Sequence, residues 1–110
     1  MAAITHPMVA DRGATFRLAA RYLTPAGDPV DLTGYTAALV RLPMSDGAAL
    51  STHAAATLGS DGWVRVTVAD EVTALWETGR TAYRLEVTNP SGEVDYLLVG
   101  PFTVRSPASA

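Results

Sequence analysis

The chain has 110 residues, of which 48% are hydrophobic and 17% are charged, and its formal net charge at pH 7 is −3. This length and composition predict one packed domain and exclude a disordered chain. The negative net charge argues against a nucleic-acid partner, because phosphate binding needs clustered cations. Cysteine is absent, which excludes disulfides and thiolate metal sites.

The chain begins with a segment that shows no sustained hydrophobic period, and we interpret residues 1–12 as an N-terminal arm. This segment has no positively charged start, and no apolar run approaches the length of a membrane span. We therefore expect synthesis in the cytosol and no membrane partner. From residue 14 onward, apolar side chains alternate with others and predict a half-buried strand. The expected inward set is Phe16, Leu18, Ala20 and Tyr22.

A dense turn signal at residues 24–29 separates this strand from the next, and Gly34 is expected to supply a positive φ before it. The second strand, residues 35–42, places Tyr35 and Arg41 on one face. The opposite face carries three apolar side chains, Ala38, Val40 and Leu42. If this face were exposed to solvent, its side chains should be polar. Either a bulge switches the register, the N-terminal arm covers this face, or another molecule does.

The second half of the chain continues the pattern of short strands and turns. A turn at 44–47 precedes a weak strand at 49–53, residues 54–57 suit strand or loop, and residues 63–68 alternate cleanly. We expect Asp70 to cap one or two helical turns over 71–76, in which Val72 and Leu75 close one end of the domain. A final hairpin turns at 89–92, and Gly100-Pro101 predicts a bulge or a change of sheet.

These elements predict an all-β fold, an immunoglobulin-like antiparallel β-sandwich of six or seven strands with one short helix. The sandwich is expected to span residues 13–105, followed by a C-terminal tail at residues 106–110.

No catalytic or metal-binding motif is recognisable in the sequence. The two histidines, His6 and His53, have no second ligand at metal-binding spacing, and the serines lack the context of a nucleophile. The carboxylate pairs Asp70-Glu71 and Glu93/Asp95 offer too few oxygens for calcium. We therefore predict no catalytic residues, no metal and no cofactor, and expect that the chain is not an enzyme.

Several segments, in this order, resemble small immunoglobulin-like virion proteins of tailed bacteriophages, similar to the N-terminal domain of baseplate upper proteins. The segments are TFRL at 15–18, GDP at 27–29, VDLTGYTA at 30–37 and LEVTNPSG at 85–92. The likeness covers roughly residues 13–105. The chain departs from it in two respects: similar proteins carry a hydrophobic residue in place of Arg41, and baseplate upper proteins continue into a stem.

The resemblance implies a structural protein of the virion, made in the host cytoplasm, as a head decoration or a tail or baseplate component. Its expected partners are other capsid or tail proteins and copies of itself. The side chains expected to supply contacts are those of the arm, of the apolar face of the second strand, and of the outward face of the strand at 63–68. They are Ile4, Met8, Val9, Ala38, Val40, Leu42, Trp63 and Arg65.

An interface role for these residues predicts that Val40→Asp leaves the isolated domain folded but prevents assembly. Removal of residues 1–10 is expected to weaken assembly with little change in melting temperature. The alternative function is a carbohydrate- or receptor-binding immunoglobulin-like module on a phage or bacterial surface. In that case Trp63 and Tyr96 would stack on the ligand.

Overall fold

The computed structural model of the chain describes residues 4–45, 47–56 and 58–106. The predicted turn at 44–47 and the ambiguous segment at 54–57 each include one residue outside this range. The predicted tail lies outside it beyond Ser106.

The structure is an all-β sandwich with one short helix, as the sequence predicts. The elements are β1 (Ile4–Thr5), β2 (Met8–Asp11), β3 (Phe16–Arg21), β4 (Thr36–Leu42), β5 (Ser51–Ala54), β6 (Trp63–Val68), α1 (Asp70–Thr73), β7 (Gly79–Thr88) and β8 (Val94–Arg105). Strands are therefore more numerous than the six or seven expected, because the N-terminal arm forms two strands of its own.

The strands form two sheets, a large one in the order β1-β8-β7-β4-β5, with β2 also on β8, and a small one of β3 and β6. In immunoglobulin nomenclature, β5, β4, β7 and β8 occupy the places of C′, C, F and G, and β3 and β6 those of B and E. All pairings are antiparallel except those of β1 and β2 with β8, which are parallel.

The N-terminal arm is an integral part of the large sheet. Its two strands keep one register against β8, from Ile4 opposite Leu98 to Asp11 opposite Arg105. The interruption between them, at His6-Pro7, lies opposite Gly100-Pro101, where both prolines lack the N–H that a ladder needs. The hydroxyl of Tyr83 donates to the carbonyl of His6 over 2.6 Å, which fixes the arm at this break.

The core lies between the two sheets and follows the predicted alternation. Phe16 and Leu18 of β3 lie beside the three inward valines of β6 on the inner face of the small sheet, and Tyr83, Leu85 and Val87 of β7 belong to the same core cluster from the large sheet. Four aromatic rings meet edge to face at one end of this core, with centroids 5.3 to 6.4 Å apart. They are Phe16, Trp76, Tyr83 and Phe102, which we call the aromatic cluster.

The short helix differs from its prediction in both its cap and its buried face. Ala69, not Asp70, occupies the N-cap position, and no side chain caps the helix. Thr73 is fully buried, whereas Leu75 is 82% exposed. The Thr73 hydroxyl accepts from the amide of Gly13 over 3.1 Å and donates to the carbonyl of Ala14 over 2.8 Å. These hydrogen bonds attach Thr73 to the turn after β2, and they therefore determine which face of the helix is buried.

Strand β4 shows no register switch, since its pairing with β7 is continuous from Thr36 opposite Thr88 to Leu42 opposite Ala82. The register shift of the sheet lies instead between β7 and β8, at Leu85/Glu86, and not at the predicted Gly100-Pro101. The arm does not cover β4 either, because β7 and β8 lie between them.

We predict that Gly100→Ala loosens the arm. An added Cβ would lie 2.8 Å from the carbonyl oxygen of His6, so the arm or β8 must move. We expect a loss of roughly 1–3 kcal/mol in the free energy of unfolding beyond that of Gly79→Ala. Gly79 is the matched control, because it also has a positive φ, 131° against 149°, but nothing lies within 4 Å of its added Cβ. Equal losses in urea unfolding would contradict this packing role.

Candidate functional site

A polar pocket opens at the end of the sandwich that holds the aromatic cluster. It centres on Arg41 of β4, which shares the inward face of the strand with Ala37 and Leu39 and is only 4% exposed. The guanidinium carbon lies 4.3 Å from the centroid of the Trp76 ring and 5.7 Å from that of Phe102. The side chain is therefore stacked on aromatic faces, an arrangement that arginine favours.

Arg41 lacks an anionic partner among the described residues, whose ion pairs are Arg84–Glu86 and Arg105–Asp11. Its Nη1 donates to the hydroxyl of Ser51 over 3.3 Å, and its Nε is buried without a hydrogen-bond partner. Burial lowers the pKa of Arg41 below its ordinary value, because desolvation disfavours the charged form. A guanidinium nevertheless stays protonated at neutral pH, so the pocket carries one positive charge.

His53 completes the polar wall of this pocket. Its Nε2 lies 2.8 Å from the hydroxyl oxygen of Ser51, and its ring centroid lies 5.4 Å from that of Trp76. Burial, and secondly the charge of Arg41, lower the pKa of His53 below its ordinary value of 6.5. The imidazole is therefore neutral at pH 7, and Arg41 remains the principal charge inside the pocket.

The pocket around Arg41 has a volume of about 580 Å³ and an apolar entrance. Leu50, Val72 and Leu75 line this entrance and are exposed. Glu77 and Arg80 lie at the rim with opposite charges. We call this site the Arg41 pocket. A buried cation with unused hydrogen-bonding capacity beside apolar walls suits a negatively charged group with an apolar neighbour.

A second cavity of about 540 Å³ lies between the arm and β3. Ile4, His6 and Met8 form one wall, β3 forms the other, and Leu97 and Leu98 lie between them. In the described part of the chain, β3 pairs only with β6 and β1 pairs only with β8. Each therefore presents an unpaired edge beside this cavity, which we call the arm groove.

The residues predicted to supply contacts do not form one surface. Ile4 and Met8 lie together in the arm groove, whereas Val9 is exposed beside them on the other face of β2. Leu42 lines a shallow depression of about 380 Å³ on the outer face of the large sheet, with Met44 and Tyr96. The remaining predicted residues lie elsewhere: Ala38 is half-buried on β4, and Trp63 and Arg65 are on β6.

Val40 is only 3% exposed and, unlike Arg41, lines none of these three cavities, so it offers a partner almost no surface. Its cross-strand neighbours are Thr52 and Arg84, whose side chains share the outer face of the sheet with it. The burial of Val40 argues against an interface role for its side chain, and it indicates that Val40→Asp destabilises the isolated domain. The sequence predicts that removal of residues 1–10 changes the melting temperature little, but Ala10 is buried in the core and Met8 packs against it, so from the structure we expect this removal to lower the stability.

Trp63 is half-buried on the outer face of the small sheet, with the guanidinium groups of Arg21 and Arg65 at 5.6 and 5.1 Å from its ring. Tyr96 is 45% exposed on the outer face of the large sheet, under Arg84. The two aromatic residues proposed to stack on a carbohydrate thus lie on opposite outer faces of the sandwich. They do not form one binding platform.

Sequence reasoning did not identify the Arg41 pocket. Its members come from β4, from β5 and the residue before it, and from the stretch between α1 and the start of β7, and these parts are separated in the sequence. The available signal was an arginine at an inward position of a strand, and a serine and a histidine two residues apart on the neighbouring strand. Inside residues 4–45, 47–56 and 58–106, no group of three or more His, Asp or Glu side chains could hold a metal ion.

Comparison with known proteins gives no family for this sequence. No family model and no curated protein matches it. The described part of the chain has no helix long and apolar enough to cross a membrane.

We predict that Val40→Asp destabilises the fold, since it places a carboxylate at a buried position. The free energy of unfolding should fall by at least about 2 kcal/mol. Val9→Asp is the matched control, because the same change is made in the same sheet at a residue that is 50% exposed. Chemical denaturation of both variants measures the difference, and equal stability losses would refute the burial of Val40.

We predict that His53 makes the protein less stable in acid. The pKa of His53 is lowered in the folded state, so below about pH 6.5 the unfolded chain binds a proton that the folded chain does not. Stability therefore falls as the pH drops from the unfolded pKa towards the folded one. His53→Gln, which retains a partner for Ser51, should flatten this decline in unfolding free energy. His6→Gln, at an exposed residue outside the pocket, is the control. An unchanged decline in His53→Gln would show that other groups cause it.

Proposed function

We propose that this chain is a non-enzymatic structural protein of a tailed-phage virion, a head decoration or a tail or baseplate component, that assembles in multiple copies. The observation that carries the assembly role is the arm groove, where two unpaired strand edges flank a cavity whose lining is mostly apolar and also includes Arg17 and Arg21. Such edges are templates for an added strand, and monomeric proteins usually cover them.

The side chains of the arm groove support this role. Ile4 is 66% exposed in the groove. The groove also presents Met8, which is half-buried, and Leu98, which is partly buried against the core. An extended segment of a neighbouring protein could pair with β3 and place its apolar side chains in the groove.

The resemblance to phage virion proteins supplies the biological setting. Two of the segments behind it meet in the fold. A Cβ built on Gly34, in VDLTGYTA, would lie 3.3 Å from the Pro90 side chain, in LEVTNPSG. Gly34 has a φ of +84° and Leu32 is fully buried. These residues build a corner of the sandwich, so this contact bears on the fold of the domain, and the virion setting rests on the resemblance itself.

The direct test is to search for the chain in purified phage particles by mass spectrometry and to locate it by immunogold electron microscopy. Label over the capsid would indicate a head decoration protein, and label at the neck or tail tip would indicate a tail or baseplate component. Absence from the particles would refute the virion role.

We predict that Ile4→Lys blocks incorporation into particles while the domain stays folded. Ile4 lines the arm groove and Thr5 does not, so a lysine at position 4 places a charge where a partner's apolar side chains would pack, and the exposed position tolerates that charge in the isolated domain. Thr5→Lys is the matched control, because Thr5 is on the same strand but points to the opposite face. Incorporation is measured by quantitative mass spectrometry and folding by circular dichroism. Normal incorporation of Ile4→Lys would exclude the arm groove as the contact.

A further inference from the structure

The strongest unexplained feature of the molecule is the buried charge of Arg41. Transfer of a guanidinium from water into a protein interior costs several kcal/mol unless a charge partner or a full set of hydrogen bonds offsets it. Stacking on Trp76 and one long hydrogen bond to Ser51 offset only part of this cost. The buried Nε has no partner at all. An anion that reaches the pocket would therefore gain a strong interaction with a charge that is already desolvated.

The entrance of the Arg41 pocket indicates what kind of anion fits. Leu75 is 82% exposed and Leu50 is 51% exposed, so the mouth is apolar while the floor is cationic. The opposite charges of Glu77 and Arg80 at the rim roughly cancel. A carboxylate carried next to an apolar side chain matches both the floor and the mouth, whereas a free inorganic anion matches only the floor.

This chain itself presents such a segment at residues 93–96, at the end of the β7–β8 hairpin, which we call the hairpin tip. Glu93 and Asp95 are exposed there, and Val94 and Tyr96 are 51% and 45% exposed. Carboxylates alternate with exposed apolar side chains along this tip. Asp95 accepts a hydrogen bond from Tyr22, whereas Glu93 is bound only by Asn89 of the same turn. Glu93 is thus the carboxylate nearest the turn and the one less tied to the body of the domain.

The hairpin tip and the Arg41 pocket lie at opposite ends of the same strand. The pocket is lined by Gly79, Arg80 and Thr81 at the start of β7, and the tip follows Thr88 at its end. Nine residue steps of extended chain separate Gly79 from Thr88, which is about 30 Å. A copy cannot place its own tip in its own pocket, but two copies can meet head to tail.

We propose that the Arg41 pocket receives the hairpin tip of a second copy of this chain, with Glu93 facing the guanidinium and Val94 against the apolar mouth. In this head-to-tail arrangement each pair keeps one free tip and one free pocket, so the contact is heterologous and repeats into a ring or a filament. The proposal deepens the assembly role proposed above and relies on it only for its virion setting. Opposite charges also predict that the contact weakens as salt is added.

The test uses the whole protein in sedimentation velocity over a wide range of concentration, at low and high salt. The wild type should self-associate beyond the dimer at low salt. Arg41→Met and Glu93→Gln should each weaken association by about tenfold or more, because each removes one side of a close charge pair. Asp28→Asn, which removes an exposed carboxylate in the turn after β3, is the matched control and should associate as the wild type does.

A mixture of the two variants separates this contact from other modes of association. Arg41→Met keeps an intact hairpin tip and Glu93→Gln keeps an intact pocket, so an equal mixture should form a one-to-one dimer that does not grow further. Failure of the mixture to form this dimer, or a wild type that stays monomeric throughout, would overturn the proposal. The virion role would be unaffected by that result, because it is tested by the presence of the chain in particles.

The melting temperature separates a binding role of Arg41 from a purely structural one. Methionine can stack on Trp76 without a charge, so Arg41→Met should melt at the wild-type temperature or above it. A large loss of stability would show that Arg41 is needed for the fold. Leu75→Asp then serves as the pocket variant in the same mixture, because Leu75 is exposed and an aspartate there repels Glu93. Undiminished association of Leu75→Asp would overturn the proposal.

Discussion

The aromatic cluster is the contact on which the rest of the structure depends. Phe16 comes from the small sheet, Tyr83 and Phe102 from the large sheet, and Trp76 from the segment after the helix, and their rings meet edge to face. The same rings hold the other parts of the molecule. The hydroxyl of Tyr83, whose pKa burial raises to about 12, donates to the arm, and Trp76 supports Arg41 and His53.

Arg41, which packs against two rings of this cluster, makes one end of the sandwich core positively charged. A hydrophobic residue at this position would close the core. Arg41 instead brings a charge to the floor of an open pocket, where Ser51 and a neutral His53 supply the nearby polar groups. The fold tolerates this because arginine stacks on aromatic faces. The incomplete set of hydrogen bonds leaves the charge available to a partner.

The two candidate contact regions are made in different ways. The arm groove follows from topology, because the arm joins β8 instead of β3 and so leaves β3 with a free edge. The Arg41 pocket follows from a single side chain in an otherwise ordinary strand. The topology alone therefore leaves an unpaired strand edge that does not select its partner, whereas the buried charge of Arg41 selects a negatively charged partner.

The alternation of the sequence by itself determined the all-β fold and the inward faces of β3, β6 and β7, because side chains on a strand alternate strictly and a short window suffices to read them. The positive φ at Gly34 was predicted from the glycine itself, because glycine adopts this conformation without steric cost. Only the tertiary structure decided the parallel pairing of the arm, the burial of Thr73 in place of Val72 and Leu75, and the grouping of Arg41 with Ser51, His53 and Trp76. A two-residue strand and a single helical turn are too short to show a period. The polar partners of the pocket are brought together only by long-range packing.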